Sequence, residues 1–154
     1  LHSLNKKRGE SKRKKNHSTK NPLIERSQNE EPQHQELRTK NHMNYNGKKF
    51  RSIASTSNGE VDSETIFEYH QNGKIIWGTY QGGQIDFGTL MGTVAETGKL
   101  QFNYQHYNRE GTYMTGKCIS TPQILPDQRI RLTEKWQWTC KDHSSGTSVI
   151  EEIQ

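Results

Sequence analysis

Apolar residues are scarce in this chain. They make up 27% of its 154 residues, and the mean hydropathy is −1.15. No apolar run is longer than Ile75-Ile76-Trp77, whereas a membrane-spanning helix needs about 20 such residues. No membrane partner is therefore expected. The two cysteines, Cys118 and Cys140, form no CxxC pair, and no His, Cys, Asp or Glu cluster has metal-ligand spacing. No metal site is expected. No stretch of ten or more residues carries an i, i+3, i+4, i+7 apolar stripe, so helices are not expected either. Without a helix there is no glycine-rich loop to cradle a phosphate, and no cofactor is expected. Ser144-Ser145-Gly146 lacks the strand–turn–helix setting of a hydrolase nucleophile.

What is present is unevenly spread. The formal charge of +5 suggests an anionic partner until it is located. Residues 1–42 hold 11 Lys and Arg against 5 acids, a charge of +6, and only five apolar residues: Leu1, Leu4, Leu23, Ile24 and Leu37. Residues 43–154 hold 11 against 12, a charge of −1, with all 13 aromatics, both cysteines and 12 of the 13 glycines. The first segment cannot bury enough surface to offset a chain entropy of roughly 1–2 kcal/mol per residue. It reads as a disordered basic tail. Its run Lys12-Arg13-Lys14-Lys15 is the one place for phosphate contact, and no aromatic is interleaved to stack on bases, so nucleic acid is not expected as a partner. The first methionine is Met43, where the globular composition begins. The expectation is that translation starts there, that residues 1–42 are an over-extended N-terminus, and that 43–154 is a single domain.

From Lys48 onward the pattern has period two, broken by turn residues. Strands are expected at about 48–55, 61–71, 74–81, 84–95, 99–108, 111–120, 129–140 and 147–153. Asn72-Gly73, Gly82-Gly83 and Thr97-Gly98 suit tight hairpins, and Pro122 and Pro126 bracket a longer loop. Eight strands joined by short turns make an antiparallel up-and-down meander. Closing it removes the exposed edges, so the fold class is all-β, a small closed or nearly closed barrel. Alternation puts Leu100, Phe102, Tyr104 and His106 on one face, and Ile130, Leu132, Glu134, Trp136, Trp138 and Cys140 on another. It also lines up Ile85, Phe87, Thr89, Met91, Thr93 and Ala95. Ile75 and Trp77 oppose Ile76 and Tyr80, which suggests a strand covered on both sides. Gly78, Gly88, Gly92 and Gly116 suggest bends or bulges. If 121–128 is a hairpin loop, Cys118 faces Arg131, which holds the cysteines about nine residues, roughly 30 Å, apart along the strands. Two free thiols fit a reducing, cytoplasmic location.

Trp136 and Trp138 lie two apart on one strand and form a flat apolar wall with N–H handles. Glu134 shares their face, where a carboxylate must be paired, hydrogen-bonded or neutral. The candidate ligand-binding set is Trp136, Trp138, Glu134, Tyr104, His106 and Trp77. The plainer reading is that the tryptophans fill a core and Glu134 pairs with an Arg or Tyr near the rim. His106 or His70, which shares a face with Glu68, could instead form an acid–base site with Glu134. Catalytic residues are otherwise unassigned.

The stretches Met43–Arg51, Thr79-Tyr80-Gln81-Gly82-Gly83, Met114-Thr115-Gly116-Lys117-Cys118 and Arg129–Thr139 resemble a family of small bacterial proteins of about a hundred residues that often carries the label N-acetylglutamate synthase. The resemblance covers 43–154 and implies N-acetyl transfer from acetyl-CoA. The residues supply no acetyl-CoA loop of the usual Q/RxxGxG/A kind, since Gln71-Asn72-Gly73-Lys74-Ile75-Ile76 reads as a hairpin. At the level of fold the pattern is similar to a calycin or lipocalin barrel. Three functions follow as expectations. The first is a barrel that binds a small, partly apolar ligand inside. The second is an N-acetyltransferase or other acid–base enzyme. The third is a protein-interaction module using a sheet edge or the tyrosines Tyr69, Tyr107 and Tyr113.

Overall fold

The computed structural model describes residues 43–154. The basic segment 1–42, with Lys12, Arg13, Lys14 and Lys15, lies outside the described residues. Eight strands follow one another: β1 (Lys49–Ser55), β2 (Ile66–Asn72), β3 (Ile75–Gly82), β4 (Ile85–Val94), β5 (Leu100–Asn108), β6 (Tyr113–Ile124), β7 (Ile130–Trp138) and β8 (Ser145–Ile153). Each pairs antiparallel with the next, and β8 returns to β1 to close the barrel. The expected up-and-down barrel is the observed one. Among the described residues, no helix is long and apolar enough to cross a membrane.

Two strand boundaries differ from expectation by more than two residues. β2 begins at Ile66 rather than at 61, because side chains capture the backbone before it. Asp62 Oδ1 accepts the Glu64 N–H at 2.8 Å, and Thr65 Oγ1 accepts the Asp62 N–H at 3.1 Å. β1 and β2 pair at only three positions, Lys49↔Glu68 to Arg51↔Ile66, which releases residues 56–65 to cross the barrel end. β6 runs through Pro122 to Ile124 instead of stopping at a proline loop. Its pairing with β5 ends at Leu100↔Ser120. Thr139 N–H donates to the Thr115 carbonyl. Odd-numbered β6 residues therefore bond to β7, and the Pro122 nitrogen faces the side that β5 has left.

This longer β6 moves the hairpin centre to Asp127, where Leu125 N–H bonds to Arg129 O at 2.8 Å and Gln128 takes φ 72°. The register shifts with it. Cys118 faces Trp136, not Arg131, and the cysteines lie closer along the strands than expected. Both remain free thiols, Cys118 buried and Cys140 half-buried.

The interior is filled by large rings set over glycines. Tyr80 pairs across the sheet with Gly88, Tyr104 with Gly116, Phe102 with Gly92 and Trp136 with Gly146. A Cβ on Gly88 would stand 2.4 Å from the Tyr80 ring, one on Gly116 2.2 Å from Tyr104, and one on Gly146 2.2 Å from Trp136. Of the expected bends or bulges at Gly78, Gly88, Gly92 and Gly116, the bulges are not formed, because these glycines stay in register. Register shifts occur elsewhere, between Ser52 and Ala54, Tyr80 and Gly82, and Ile85 and Phe87.

The last of these shifts also inverts the expected faces of β4. After the bulge, Gly88, Leu90, Gly92 and Val94 point inward, leaving Phe87 and Met91 exposed. The two inward glycines carry no apolar signal, so alternation followed the wrong face. β3 is covered on one side only: Ile76 and Tyr80 are buried, whereas Ile75 and Trp77 are exposed. Tyr45, fully buried against Phe50 and Tyr69, closes one end of the barrel and donates its hydroxyl to the Gly98 carbonyl at 2.5 Å.

The ring-over-glycine packing predicts that Gly88→Ala destabilises the fold by about 1–3 kcal/mol through overpacking. Combined with Tyr80→Leu, the loss should be non-additive, with a coupling of about 0.5–3 kcal/mol in a urea-denaturation double-mutant cycle. Additive losses would show that Tyr80 does not lie over Gly88.

Candidate functional site

Between Tyr45 at one end and residues 56–65 at the other, the barrel keeps a small, mostly apolar cavity. Its volume is about 50 Å³, room for one or two waters by size. Trp136, Trp138, Phe102, Tyr104 and Leu90 line it, together with Tyr80, His106, Cys118, Glu134 and Glu60. Trp136 and Trp138 pack with ring centroids 5.3 Å apart, and Tyr104 and His106 meet the Trp138 ring edge-on at 5.8 and 5.9 Å. Five of the six candidate residues thus surround one space. Trp77 does not. It is 41% exposed on the outer face, stacked on His70 at 5.7 Å. One strand cannot send residues 76 and 77 to the same side, and Ile76 holds the interior position.

The polar groups form two separate clusters. The inner one centres on Glu134, which is fully buried between β6 and β8. Ser120 Oγ donates to Glu134 Oε2 at 2.9 Å, Ser148 Oγ donates to Oε1 at 3.0 Å, and the Cys118 thiol reaches Oε2 at 3.6 Å. These partners follow from register, because Ser120 and Ser148 stand directly opposite Glu134. The plainer expectation of an Arg or Tyr partner is replaced by two hydroxyls and a thiol. Burial pushes the Glu134 carboxyl up from its usual range, while the three hydrogen bonds pull it back in part. Burial pushes the Cys118 thiol well up, with the nearby carboxylate adding to this, which disfavours the thiolate. The Tyr69 hydroxyl is buried, with no hydrogen-bond partner among the described residues.

The outer cluster closes the barrel mouth. Tyr80 Oη lies 2.8 Å from His106 Nδ1, and His106 Nε2 lies 2.8 Å from Glu60 Oε1. With Tyr80 donating to Nδ1, the neutral ring presents Nε2–H to the carboxylate. Asn108 Nδ2 donates to the second oxygen of Glu60 at 2.9 Å. Burial lowers the His106 pKa, and the bond to Glu60 opposes this in part. Both His106 nitrogens are therefore engaged away from Glu134, and His70 lies on the outside. The expected acid–base pairing of either histidine with Glu134 is not formed. Trp138 Nε1–H donates to Asn58 O at 3.0 Å, which ties the connection between β1 and β2 to the tryptophan wall.

Sequence reasoning missed Glu60, Asn108 and Tyr80. Asn108 shares the parity of His106 and Tyr104 on β5, a usable signal. Glu60 lies outside any strand, where alternation has nothing to say. Of the three tyrosines expected on the surface, Tyr69 is fully buried, while Tyr107 and Tyr113 are exposed and pack at 5.1 Å. Among the described residues, no group of three or more His, Cys, Asp or Glu could hold a metal ion.

Residues 43–153 match the family model described as Avidin-like protein, and the chain belongs to that family. No curated protein matches it.

The buried acid makes a signed prediction. A carboxyl whose folded pKa lies above its ordinary value of 4.5 stabilises the fold at low pH. That contribution is lost as pH rises from 4.5 through the folded value. Gln at this position cannot ionise, so Glu134→Gln should gain stability relative to the parent as pH rises across that window and match its slope below it. The lowered His106 acts oppositely, losing stability as pH falls below 6.5, but it is common to both proteins and cancels. Urea midpoints from pH 4 to 8 check this, and a relative stability that declines with pH contradicts it. Glu134→Ala, which strands two hydroxyls beside a void, should cost about 2–4 kcal/mol at pH 4 and less as pH rises, since Ala cannot ionise either.

Proposed function

From membership of the avidin-like family, we propose that the barrel binds a small, partly apolar molecule in its interior, against the Trp136–Trp138 wall. Avidin-like barrels bind small molecules such as biotin. The observation that carries the reading is the convergence of two indoles, Tyr104, His106 and a buried acid on one cavity. Such a site gives a ligand a flat apolar surface and a few fixed polar contacts, which is how small-molecule pockets are generally built.

The cavity of about 50 Å³ is well below the roughly 300–1,000 Å³ of a pocket for a drug-sized ligand. A ligand of more than a few atoms enters by displacing the connection that covers the mouth. Between its ends, where Thr56 bonds to Thr147 and Thr65 Oγ1 donates to the Gly82 carbonyl, that connection is held by side-chain bonds: Asn58 O accepts from Trp138, Glu60 accepts from His106 and Asn108, and Asn58 Nδ2 donates to Ser145 O at 2.9 Å. The remainder of the barrel wall is paired strand to strand, most thinly between β1 and β2 beside this connection, so the mouth is the entry with the smallest opening cost. An acetyl-transfer reading has less support. Gln71–Gly73 forms the end of β2 and its turn into β3, with no row of free amides for a pyrophosphate.

Titration of the full-length chain with cyclic and aromatic metabolites, biotin among them, followed by tryptophan fluorescence, tests the reading. A saturable response is expected. Trp138→Ala should weaken binding at least about tenfold, equivalent to about 1.4 kcal/mol, while Trp77→Ala leaves it unchanged. No response across the panel, or equal losses from Trp77→Ala and Trp138→Ala, would overturn it.

A further inference from the structure

The cluster at the mouth has two unequal halves. Tyr80, His106 and Asn108 are 3%, 2% and 7% exposed and sit on strands β3 and β5. They are fixed without reference to Glu60. Asn108 Oδ1 accepts the backbone N–H groups of Glu110 at 3.1 Å and Thr112 at 2.9 Å, which turns its Nδ2 toward the mouth. The Tyr80 hydroxyl holds the His106 tautomer that presents Nε2–H. Two buried donors therefore converge on the two oxygens of one carboxylate. The Glu60 side chain is 24% exposed and belongs to the connection outside the sheet. Among the described residues, no Lys or Arg pairs with its carboxylate, whose partners are the neutral His106 and Asn108. Lys141, Glu110 and Asp142 line the shallow vestibule outside.

Entry of a ligand through the mouth lifts Glu60 and leaves two buried donors unpaired, a penalty that persists unless the ligand brings matching acceptors. We propose that His106 and Asn108 form a carboxylate-binding site that Glu60 occupies from within the chain, and that the interior ligand is a flat, apolar monocarboxylic acid whose carboxylate takes the place of Glu60. The site thereby assigns a chemical class to the ligand, and this rests on the interior-binding reading above. The acid group lies at the mouth beside His106, and the apolar body reaches inward over Trp138 and Tyr104. Glu60 is a tethered competitor, so the affinity seen in the intact chain is reduced by the fraction of molecules in which Glu60 is seated.

Phenylacetate and phenylacetamide share one apolar body and differ in the carboxylate, so they separate the two claims. Each is titrated against the full-length parent, Glu60→Gln and Glu60→Ala by calorimetry, with near-UV circular dichroism confirming the fold. Phenylacetate is expected to bind Glu60→Ala at least about tenfold more tightly than the parent and to displace the His106 ring-nitrogen resonances. Phenylacetamide should gain much less. Equal affinities of acid and amide for Glu60→Ala overturn the carboxylate site while leaving interior binding intact. An affinity for the acid that Glu60→Ala does not raise overturns the role of Glu60 as occupant. Failure of phenylacetate on folded Glu60→Ala also overturns the proposal, whereas the interior-binding reading falls only if the amide and the wider metabolite panel fail too. Should Glu60→Ala not fold, the parent and Glu60→Gln decide. A preference for acid over amide, with displaced His106 resonances, sustains the proposal, and no preference overturns it.

Discussion

An eight-stranded barrel is just wide enough to be filled by its own side chains, and filling that space is the constraint on which the rest of this structure depends. The chain meets it with few apolar residues by laying large rings flat over glycines on the neighbouring strand. Tyr80 over Gly88, Tyr104 over Gly116 and Trp136 over Gly146 each use the volume that a facing side chain would have taken. Much of the remaining apolar content is spent outside, where Ile75, Trp77, Phe87 and Met91 are exposed. The interior therefore has little to spare, and the space left over is a small cavity between rings that are already in place. A fold filled this way positions its aromatic wall rigidly, because each ring is confined by backbone on one side and by another ring on the other.

The two ends of the barrel are closed by different physics. At one end Tyr45 is fully buried, and backbone bonds between Lys48 and Tyr69 and from Gly47 to Tyr69 continue the sheet beyond β1. At the other, closure depends on side chains, with the Glu60 carboxylate on His106 and Asn108 and the Trp138 indole on Asn58. Backbone pairing is cooperative along a strand, whereas a side-chain latch opens locally. The polar groups are divided in the same way. Glu134 with Ser120 and Ser148 is sealed inside and satisfied, while the Glu60 cluster stands at the boundary with solvent. The first fixes a polar layer across three strands, and the second can exchange partners.

The all-β class, the strand order and the inward faces of β5 and β7 were legible from alternation and turn residues, because in those strands every inward position carries a side chain. So were Trp136, Trp138, Glu134, Tyr104 and His106. β4 was read on the wrong face because two of its inward positions are glycine and a bulge shifts its phase after Ile85. Trp77 belongs inside only if β3 is covered on both sides; one side is open, and Ile76 holds the inward position. The β6–β7 register was missed because Pro122 reads as a break, although a strand that has outrun one neighbour accepts it. Glu60 was invisible. Its position depends on a segment that crosses the mouth, and nothing periodic marks such a segment.

The chain's three tryptophans provide the most direct test that the interior is the binding site. Two lie inside and one outside, so labelling the full-length protein with 5-fluorotryptophan gives three ¹⁹F resonances with a built-in control. On titration with phenylacetate, the Trp136 and Trp138 resonances should shift together and saturate at a common concentration, while Trp77 stays fixed. A shift confined to Trp77, or three tryptophans moving alike, would contradict the account.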